Sequence, residues 1–342
     1  MLKPSCEYDP LENPRGFRKS LARWFARHGR DYPWRRTSDP YEILVSEVML
    51  QQTQIATVLG RGFYTRFLER FPDTQALAQA DDDSLLKAWE GLGYYRRARM
   101  LREAARWIES KHHGNFPTKL DDILALPGVG RYTAGAVYSF AFKGAAPIVD
   151  GNISRTLSRL MDCHEQIDQS ATIKQLWAWA ELLLDQESPH IHNSALMELG
   201  QTLCRPGLPD CMACPVSEYC KTRNPEILPQ KARRPQIIPI SEDVVLATCG
   251  ASVLLRKLAE GRRQGMWRLP ARDGAEEWPV LLERKYTITR YRVTLRVRKP
   301  PSPLRAALDE SWHSLDELSK LAIPPADRKA LHSLLGMEEE IA

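Results

Sequence analysis

Four cysteines, Cys204, Cys211, Cys214 and Cys220, crowd into one short segment, while Cys6, Cys163 and Cys249 lie scattered. Four thiolates so close in sequence can enclose a single metal ion or a cubane cluster. Structural zinc usually draws on two close pairs, and only Cys211 and Cys214 have that spacing, so the longer outer gaps suit a [4Fe–4S] cluster better. Two carboxylates sit in contrasting settings. Glu47 shares a helical face with Ile43, Leu44 and Leu50, and apolar company raises the pKa of a carboxyl until it holds a proton near neutrality. Asp150 precedes a helix, whose N-terminus favours the ionised form. Cleavage of a glycosidic bond needs one carboxyl of each kind, the first to protonate the leaving group and the second to stabilise an oxocarbenium-like transition state. The same two residues equally suit a salt-bridged helix position and a helix cap.

Two turns add a polyanion-binding chemistry. Leu126-Pro127-Gly128-Val129-Gly130-Arg131-Tyr132-Thr133-Ala134 lies between helical stretches. Gly128 and Gly130 let a ligand approach the backbone, and free N–H groups at the helix start favour an anion. This is the pattern of a helix-hairpin-helix gripping a DNA phosphate, or else of a tight turn between packed helices. In Glu90-Gly91-Leu92-Gly93-Tyr94-Tyr95-Arg96-Arg97 aromatics stand beside arginines. They suit wedging into a base stack and holding phosphates, or a tyrosine packed under a glycine turn.

The elements that must position these groups read as helices from Gly16 to about Leu203. Apolar spacing predicts helices over Tyr41–Gln51 (after Pro40), Tyr94–Ile108, Ser154–Met161, Ala171–Leu184 and His190–Leu203. No strand is expected before residue 240. The stretch 224–239, rich in proline and basic residues, reads as a linker. Beyond it, Val244–Leu255 is β-prone, and Thr287–Arg298 alternates with period two. There Tyr291, Val293, Leu295 and Val297 face one way, and Arg290, Arg292, Arg296 and Arg298 the other. From Arg284 to Lys299 every charged residue is basic, which predicts a face lying against DNA. Residues 314–336 return to helical spacing. The expectation is a helical body followed by a small α+β domain.

The chain has 342 residues, 43% hydrophobic and 27% charged, which excludes disorder and allows two or three domains. With no apolar run near 18 residues a membrane span is excluded, and the polar start lacks a secretory h-region. A reducing compartment follows, so cysteines serve metal binding rather than disulfides. The net charge of +5 permits a polyanionic partner.

Taken together, the sequence resembles the adenine DNA glycosylase (MutY) family of the endonuclease III superfamily. The matching stretches are Ser46-Glu47-Val48-Met49-Leu50-Gln51-Gln52-Thr53, Trp89 to Tyr95, the hairpin at 126–134, Val149 to Asn152, Glu198-Leu199-Gly200 and the cysteine cluster. The resemblance implies a mainly α helix-hairpin-helix glycosylase core with a C-terminal α+β MutT-like domain. Residues 1–34 and 143–223 would form an iron–sulfur helical domain and 35–142 a six-helix barrel. Residues 224–243 would be the linker and 244–342 the 8-oxoguanine recognition-type domain. By position Glu47 would be the general acid toward adenine N7 and Asp150 the carboxylate facing the sugar cation, supported by Tyr132 and Asn152. Arg30, Trp34, Arg35, Gln52 and Glu198 would line or buttress the adenine pocket. Tyr94 would wedge into the duplex with Gln51 nearby, and Gly128 and Gly130 would hold phosphate. The cysteines would ligate a [4Fe–4S] cluster.

Two positions distinguish this chain within the resemblance. Bifunctional relatives carry a lysine where Tyr132 stands, and tyrosine cannot form a Schiff base, so monofunctional base removal is expected. In the C-terminal region, Gly265-Met266-Trp267-Arg268-Leu269-Pro270 supports the MutT-like match, but no Nudix box of glutamates follows. Ile288, Thr289 and Arg290 replace the family's Phe-Ser-His loop, substituting a permanent cation for histidine. The implied function is monofunctional excision of adenine opposite 8-oxoguanine or guanine. The substrate is double-stranded DNA, and a monomer in the bacterial, nucleoid-associated cytoplasm is expected. A mismatch thymine or uracil glycosylase and a non-catalytic lesion-binding protein are the alternatives.

Overall fold

The computed structural model describes residues 11–232 and 236–337. The remaining residues, including Cys6 and positions 233–235 of the expected linker, lie outside the described set. Helices run in chain order as α1 (Pro14–His28), α2 (Pro40–Leu50), α3 (Ile55–Gly60), α4 (Phe63–Arg70), α5 (Thr74–Ala78), α6 (Asp82–Ala88) and α7 (Arg96–His112). They continue as α8 (Leu120–Leu124), α9 (Arg131–Phe142), α10 (Gly151–Leu160), α11 (Ser170–Leu183) and α12 (Pro189–Thr202). Seven strands follow: β1 (Ile238–Val245), β2 (Thr248–Cys249), β3 (Ser252–Lys257), β4 (Trp267–Arg268), β5 (Val280–Ile288), β6 (Tyr291–Arg298) and β7 (Glu310–Ser314), before a last helix, α13 (Pro325–Leu335). No described helix is long and apolar enough to cross a membrane.

The chain forms two compact units. The first takes residues up to 48 and from 107 onward through α12 and the cysteine loop. Its core joins Phe17 and Leu21 of α1 to Ile153, Leu157 and Leu160 of α10, Trp179 and Leu183 of α11, and Leu196 and Leu199 of α12. Two small contacts let these elements close together. A Cβ on Gly200 would lie 2.9 Å from the Asn152 Cβ, and one on Gly135 would lie 2.8 Å from the Pro147 carbonyl oxygen. Asn193, itself buried, donates to Ser139 Oγ and the Ala146 carbonyl, both at 2.9 Å. The segment leading to Asp150 is therefore fixed between α9 and α12.

The second unit combines residues 49–106 with the C-terminal domain. In that domain β1 pairs parallel to β6, which pairs antiparallel to β5, and a second sheet sets β3 between β2, β4 and β7. Val244, Leu255, Leu295, Val297 and Leu331 meet in its core.

Four sequence expectations require correction. A strand begins at Ile238, before residue 240 and inside the expected linker 224–243. Pro239 hides it from a propensity reading, but β1 is an edge strand and tolerates a residue without an N–H. Residues 224–232 are no free tether either, since the Gln230 carbonyl accepts from Ile167 and the Leu228 carbonyl from Arg159. The stretch Thr287–Arg298 is not one strand: β5 ends at Ile288, and Thr289, at φ 52°, turns the chain into β6. In the range 314–336, Ser314 closes β7 and the α-helix begins only at Pro325.

The basic face of β6 is also broken. Val293, Leu295 and Val297 do point inward, but Tyr291 is only partly buried, under the guanidinium groups of Arg262 and Arg290, and Arg298 is buried on Asp243 at 2.6 Å. Arg296 pairs with its cross-strand neighbour Glu283 at 3.0 Å. That acid lies one residue outside the all-basic stretch and opposite it in space.

Candidate active site

Helix α2 delivers Glu47 into the first unit with only 3% of its surface exposed. The Tyr132 hydroxyl, from the first turn of α9, donates to its carboxyl. Burial pushes the Glu47 pKa up to about 7, reinforced by the Asp150 charge and opposed by the Tyr132 hydrogen bond and the Arg35 guanidinium. Tyr132 is itself driven well above its ordinary value, by burial and by Glu47, so it stays neutral and a donor.

Asp150 caps α10: one oxygen accepts from the Ile153 amide at 2.7 Å, the other from Asn152 Nδ2 at 3.1 Å. The helix start works toward ionisation, as the sequence suggests, yet burial outweighs it and the pKa lies above the ordinary value. A cap inside a protein loses solvent as it gains amides, and here the loss of solvent dominates. From Asn152 the chain of contacts continues. Its Oδ1 accepts from Arg155 at 2.9 Å, and Arg155 also donates to the carbonyls of Gly200 at 2.7 Å and Cys204 at 2.8 Å.

Of the expected pocket residues, Arg30, Arg35 and Glu198 come together. Glu198 has no exposed surface and receives Arg30 at 2.5 Å and Arg35 at 2.8 Å. Arg35 also donates to the Arg30 carbonyl. Trp34 is buried and stacked on Tyr32, ring centroids 5.3 Å apart. Gln52 belongs to the second unit, where it is exposed at φ 60°.

The turns expected to meet nucleic acid are open. Gly128 takes φ 75°, and Gly130 caps α9 with no side-chain cap of its own and nothing within 4 Å of where a Cβ would stand. Tyr94 stands 47% exposed at φ 47°, a conformation costly for a non-glycine residue. Tyr95 is the packed tyrosine of the pair. Arg97 is not a surface cation: its guanidinium donates to the carbonyls of Met49, Gln51, Leu92 and Gly93, tying the Gln51-Gln52 turn to the Tyr94 turn. Ile288 ends β5 half-buried, while Thr289 and Arg290 are exposed at the hairpin tip.

Cys204, Cys211, Cys214 and Cys220 are all free thiols close enough to perturb one another electrostatically. Burial pushes Cys214 up to about 12 and Cys220 to about 11. Buried Arg159 donates to Cys204 Sγ at 3.4 Å and to the carbonyls of Arg205 at 2.8 Å and Gly207 at 2.9 Å. Among the described residues no three His, Cys, Asp or Glu side chains gather round one point as a single ion requires. A donor set of four thiols with a guanidinium beside it suits a polynuclear, anionic iron–sulfur group.

Arg155, Arg159 and Asn193 escape a reading of the sequence, which takes Arg97 only as a phosphate-holding arginine.

Comparison with known proteins agrees with this geometry. Residues 45–182 match the family of HhH-GPD superfamily base excision DNA repair proteins. The chain is 42% identical over 216 residues to the adenine DNA glycosylase of Homo sapiens, covering 60% of this chain and 39% of that one. It is 40% identical over 205 residues to that of Mycolicibacterium smegmatis, covering 60% of this chain and 68% of the relative. A thermostable thymine-DNA glycosylase of known structure superposes with a TM-score of 0.56 at 29% identity, over 61% of this chain and 96% of the other. The chain thus spans well under half of its human relative, while its helical core has the architecture of these enzymes and its C-terminal domain is built on sheets. By sequence, by that core and by the carboxylates buried in it, the chain belongs to the adenine DNA glycosylase family within the HhH-GPD superfamily.

Proposed function

We propose that the protein is a monofunctional glycosylase that hydrolyses the N-glycosidic bond of adenine mispaired with 8-oxoguanine or guanine, in base excision repair. One observation carries this reading: Glu47 holds a proton to about pH 7 within the same buried group as Tyr132 and Asp150. Protonated Glu47 donates to adenine N7 as the bond from C1′ to N9 breaks and its electron pair leaves with the base. Ionised Asp150, oriented by Asn152, stabilises the sugar cation. A water then adds to C1′ and gives its proton to the Glu47 carboxylate. Tyr132 holds Glu47 and offers no amine, so no Schiff base forms and the strand stays intact.

The base reaches this centre by flipping out of double-stranded DNA. Gly128 and Gly130 hold a phosphate, Tyr94 fills the vacated stack with Gln51 beside it, and the tip Ile288-Thr289-Arg290 meets the strand opposite. Arg30, Trp34, Arg35, Gln52 and Glu198 shape or buttress the adenine pocket. Cys204, Cys211, Cys214 and Cys220 hold a [4Fe–4S] cluster, which supplies a rigid cross-link for the loop between them. Residues 1–34 with 143–223 form the iron–sulfur domain, 35–142 the barrel and 244–342 the recognition domain, with the connection ending before Ile238. The protein acts as a monomer on DNA in the bacterial cytoplasm.

Single-turnover base release, developed with alkali, tests the reading on duplexes with adenine opposite 8-oxoguanine, guanine and cytosine. Release from the first two is expected. Release of thymine from a G·T duplex instead would favour the second reading, a mismatch thymine glycosylase, which the likeness to the thymine-DNA glycosylase makes worth including. Binding without release would leave a lesion-binding protein.

A further inference from the structure

The turn bearing Tyr94 is gripped from two sides. On the inner side, Arg97 gathers the carbonyls of Leu92 and Gly93 at 3.0 and 3.2 Å, and the fully buried Trp89 donates its indole N–H to the Gly93 carbonyl at 3.1 Å. Gly91, at φ 97°, runs so close to Phe63 that a Cβ there would lie 2.9 Å from the ring. On the outer side stands Glu90, the residue that opens the turn. Both its oxygens receive the guanidinium of Arg328 on α13, one of them at 2.9 Å from the terminal nitrogen.

Arg328 cannot swing freely, since it also donates to the carbonyls of Leu318 at 3.1 Å and Leu321 at 2.7 Å within the C-terminal domain. The ion pair is only 19% and 13% exposed on its two sides, so water and salt screen it far less than a surface pair. Other polar contacts join the same two segments of the second unit. Lys257 reaches Asp83 at 2.9 Å, and Arg99 donates to the Gln264 carbonyl. A Cβ on Gly265 would lie 2.9 Å from the Arg99 guanidinium, so the two segments approach closely there.

A bidentate, half-buried pair joining residues 238 positions apart is a heavy constraint to place on a two-glycine turn. The residue next to those glycines, Tyr94, holds a left-handed backbone that only its surroundings can enforce. We propose that Arg328 is a positioning residue for base extrusion: it anchors Glu90 to the C-terminal domain and so sets the backbone from which Tyr94 enters the duplex. The C-terminal domain then acts on the flipping step as well as on the opposite strand. This inference rests on the reading of Tyr94 as the wedge.

The test uses the full-length protein and compares Arg328→Gln, Tyr94→Ala and the double variant. Single-turnover release of adenine from a paired duplex is measured beside release from a duplex with adenine opposite an abasic site, where no pair must be opened. Arg328→Gln is expected to slow release about tenfold on the paired duplex and to leave the abasic-site duplex near the wild-type rate. The double variant is expected to be no slower than Tyr94→Ala alone. A 2-aminopurine beside the mispair should lose its fluorescence rise on binding in Arg328→Gln as it does in Tyr94→Ala. A wild-type rate for Tyr94→Ala would overturn the wedge reading itself. A slow Tyr94→Ala beside a wild-type-like Arg328→Gln, or losses that multiply, would overturn the anchoring alone. Should Arg328→Gln fail to fold, the conservative Arg328→Lys loses the two-pronged grip while Lys87 keeps its own contact with Glu90 at 2.9 Å, and it is expected to slow release on the paired duplex alone. Equal slowing on both duplexes would reduce Arg328 to a structural residue.

Discussion

At the residue scale the chemistry turns on how burial and neighbours share the charge of Glu47. Its ordinary pKa of 4.5 becomes about 7 because desolvation outweighs the Tyr132 and Arg35 contacts. Release of the base should therefore fall as pH rises through about 7, where the acid is lost; a flat single-turnover profile from pH 6 to 8.5 would place the proton donor elsewhere. The same shift carries a stability consequence. The folded protein keeps this proton up to about pH 7 while the unfolded chain releases it near 4.5, so stability falls between those values and stays lowered above them, by on the order of 3 kcal/mol. Glu47→Gln should thus cost on the order of 10²–10⁴ in release rate, keep duplex binding, and unfold at a higher temperature than wild type at pH 8 but not at pH 4. Asp150→Asn separates chemistry from folding differently. Asparagine caps a helix as well as aspartate does, so the fold should hold, while a neutral amide cannot stabilise the sugar cation and turnover should collapse. Unfolding at a much lower temperature would show the carboxylate to be structural.

At the scale of the element, α10 links the buried carboxylates to the cysteine loop of the first unit. Its cap is Asp150, its first turn carries Asn152, Arg155 reaches the Gly200 and Cys204 carbonyls, and Arg159 holds the cysteine loop. Arg159→Ala should leave the buried Leu228 carbonyl unpaired and free the more exposed carbonyls of Arg205 and Gly207 to water, a cost of about 1–3 kcal/mol. Purified wild-type protein should be brown with a broad visible absorbance and contain iron and sulfide, and Arg159→Ala should bleach faster in air. A colourless protein carrying stoichiometric zinc would refute the cluster.

At the scale of the whole molecule, the question is what the C-terminal domain touches. Its hairpin tip concentrates cations: Arg262 and Arg290 lie over the Tyr291 ring, at 4.3 and 5.4 Å from its centroid. Among the described residues neither guanidinium forms an ion pair, which leaves both able to meet an anion. If Arg290 reads the opposite base, Arg290→Ala should lower the preference for 8-oxoguanine over guanine. If it contacts phosphate, both substrates should weaken alike and the salt dependence should lose about one unit of slope. An unchanged affinity, slope and preference would leave the tip a solvated surface.

Much of this molecule is legible along the chain. The cysteine spacing, the hairpin with Gly128 and Gly130, the carboxylates Glu47 and Asp150 and most helices are local signals, because periodicity, capping and turn chemistry act over a few residues. What the chain alone cannot determine is set by contacts distant in sequence. Pro239 reads as a strand breaker until β1 is found at a sheet edge, and Arg298 reads as surface charge until Asp243 faces it. The raised pKa of Asp150 depends on how much solvent the fold removes, and Arg97 looks like a phosphate ligand until four carbonyls converge on it. Burial and pairing of charge belong to the tertiary arrangement, since desolvation is a property of all the atoms around a group and not of its neighbours in the chain.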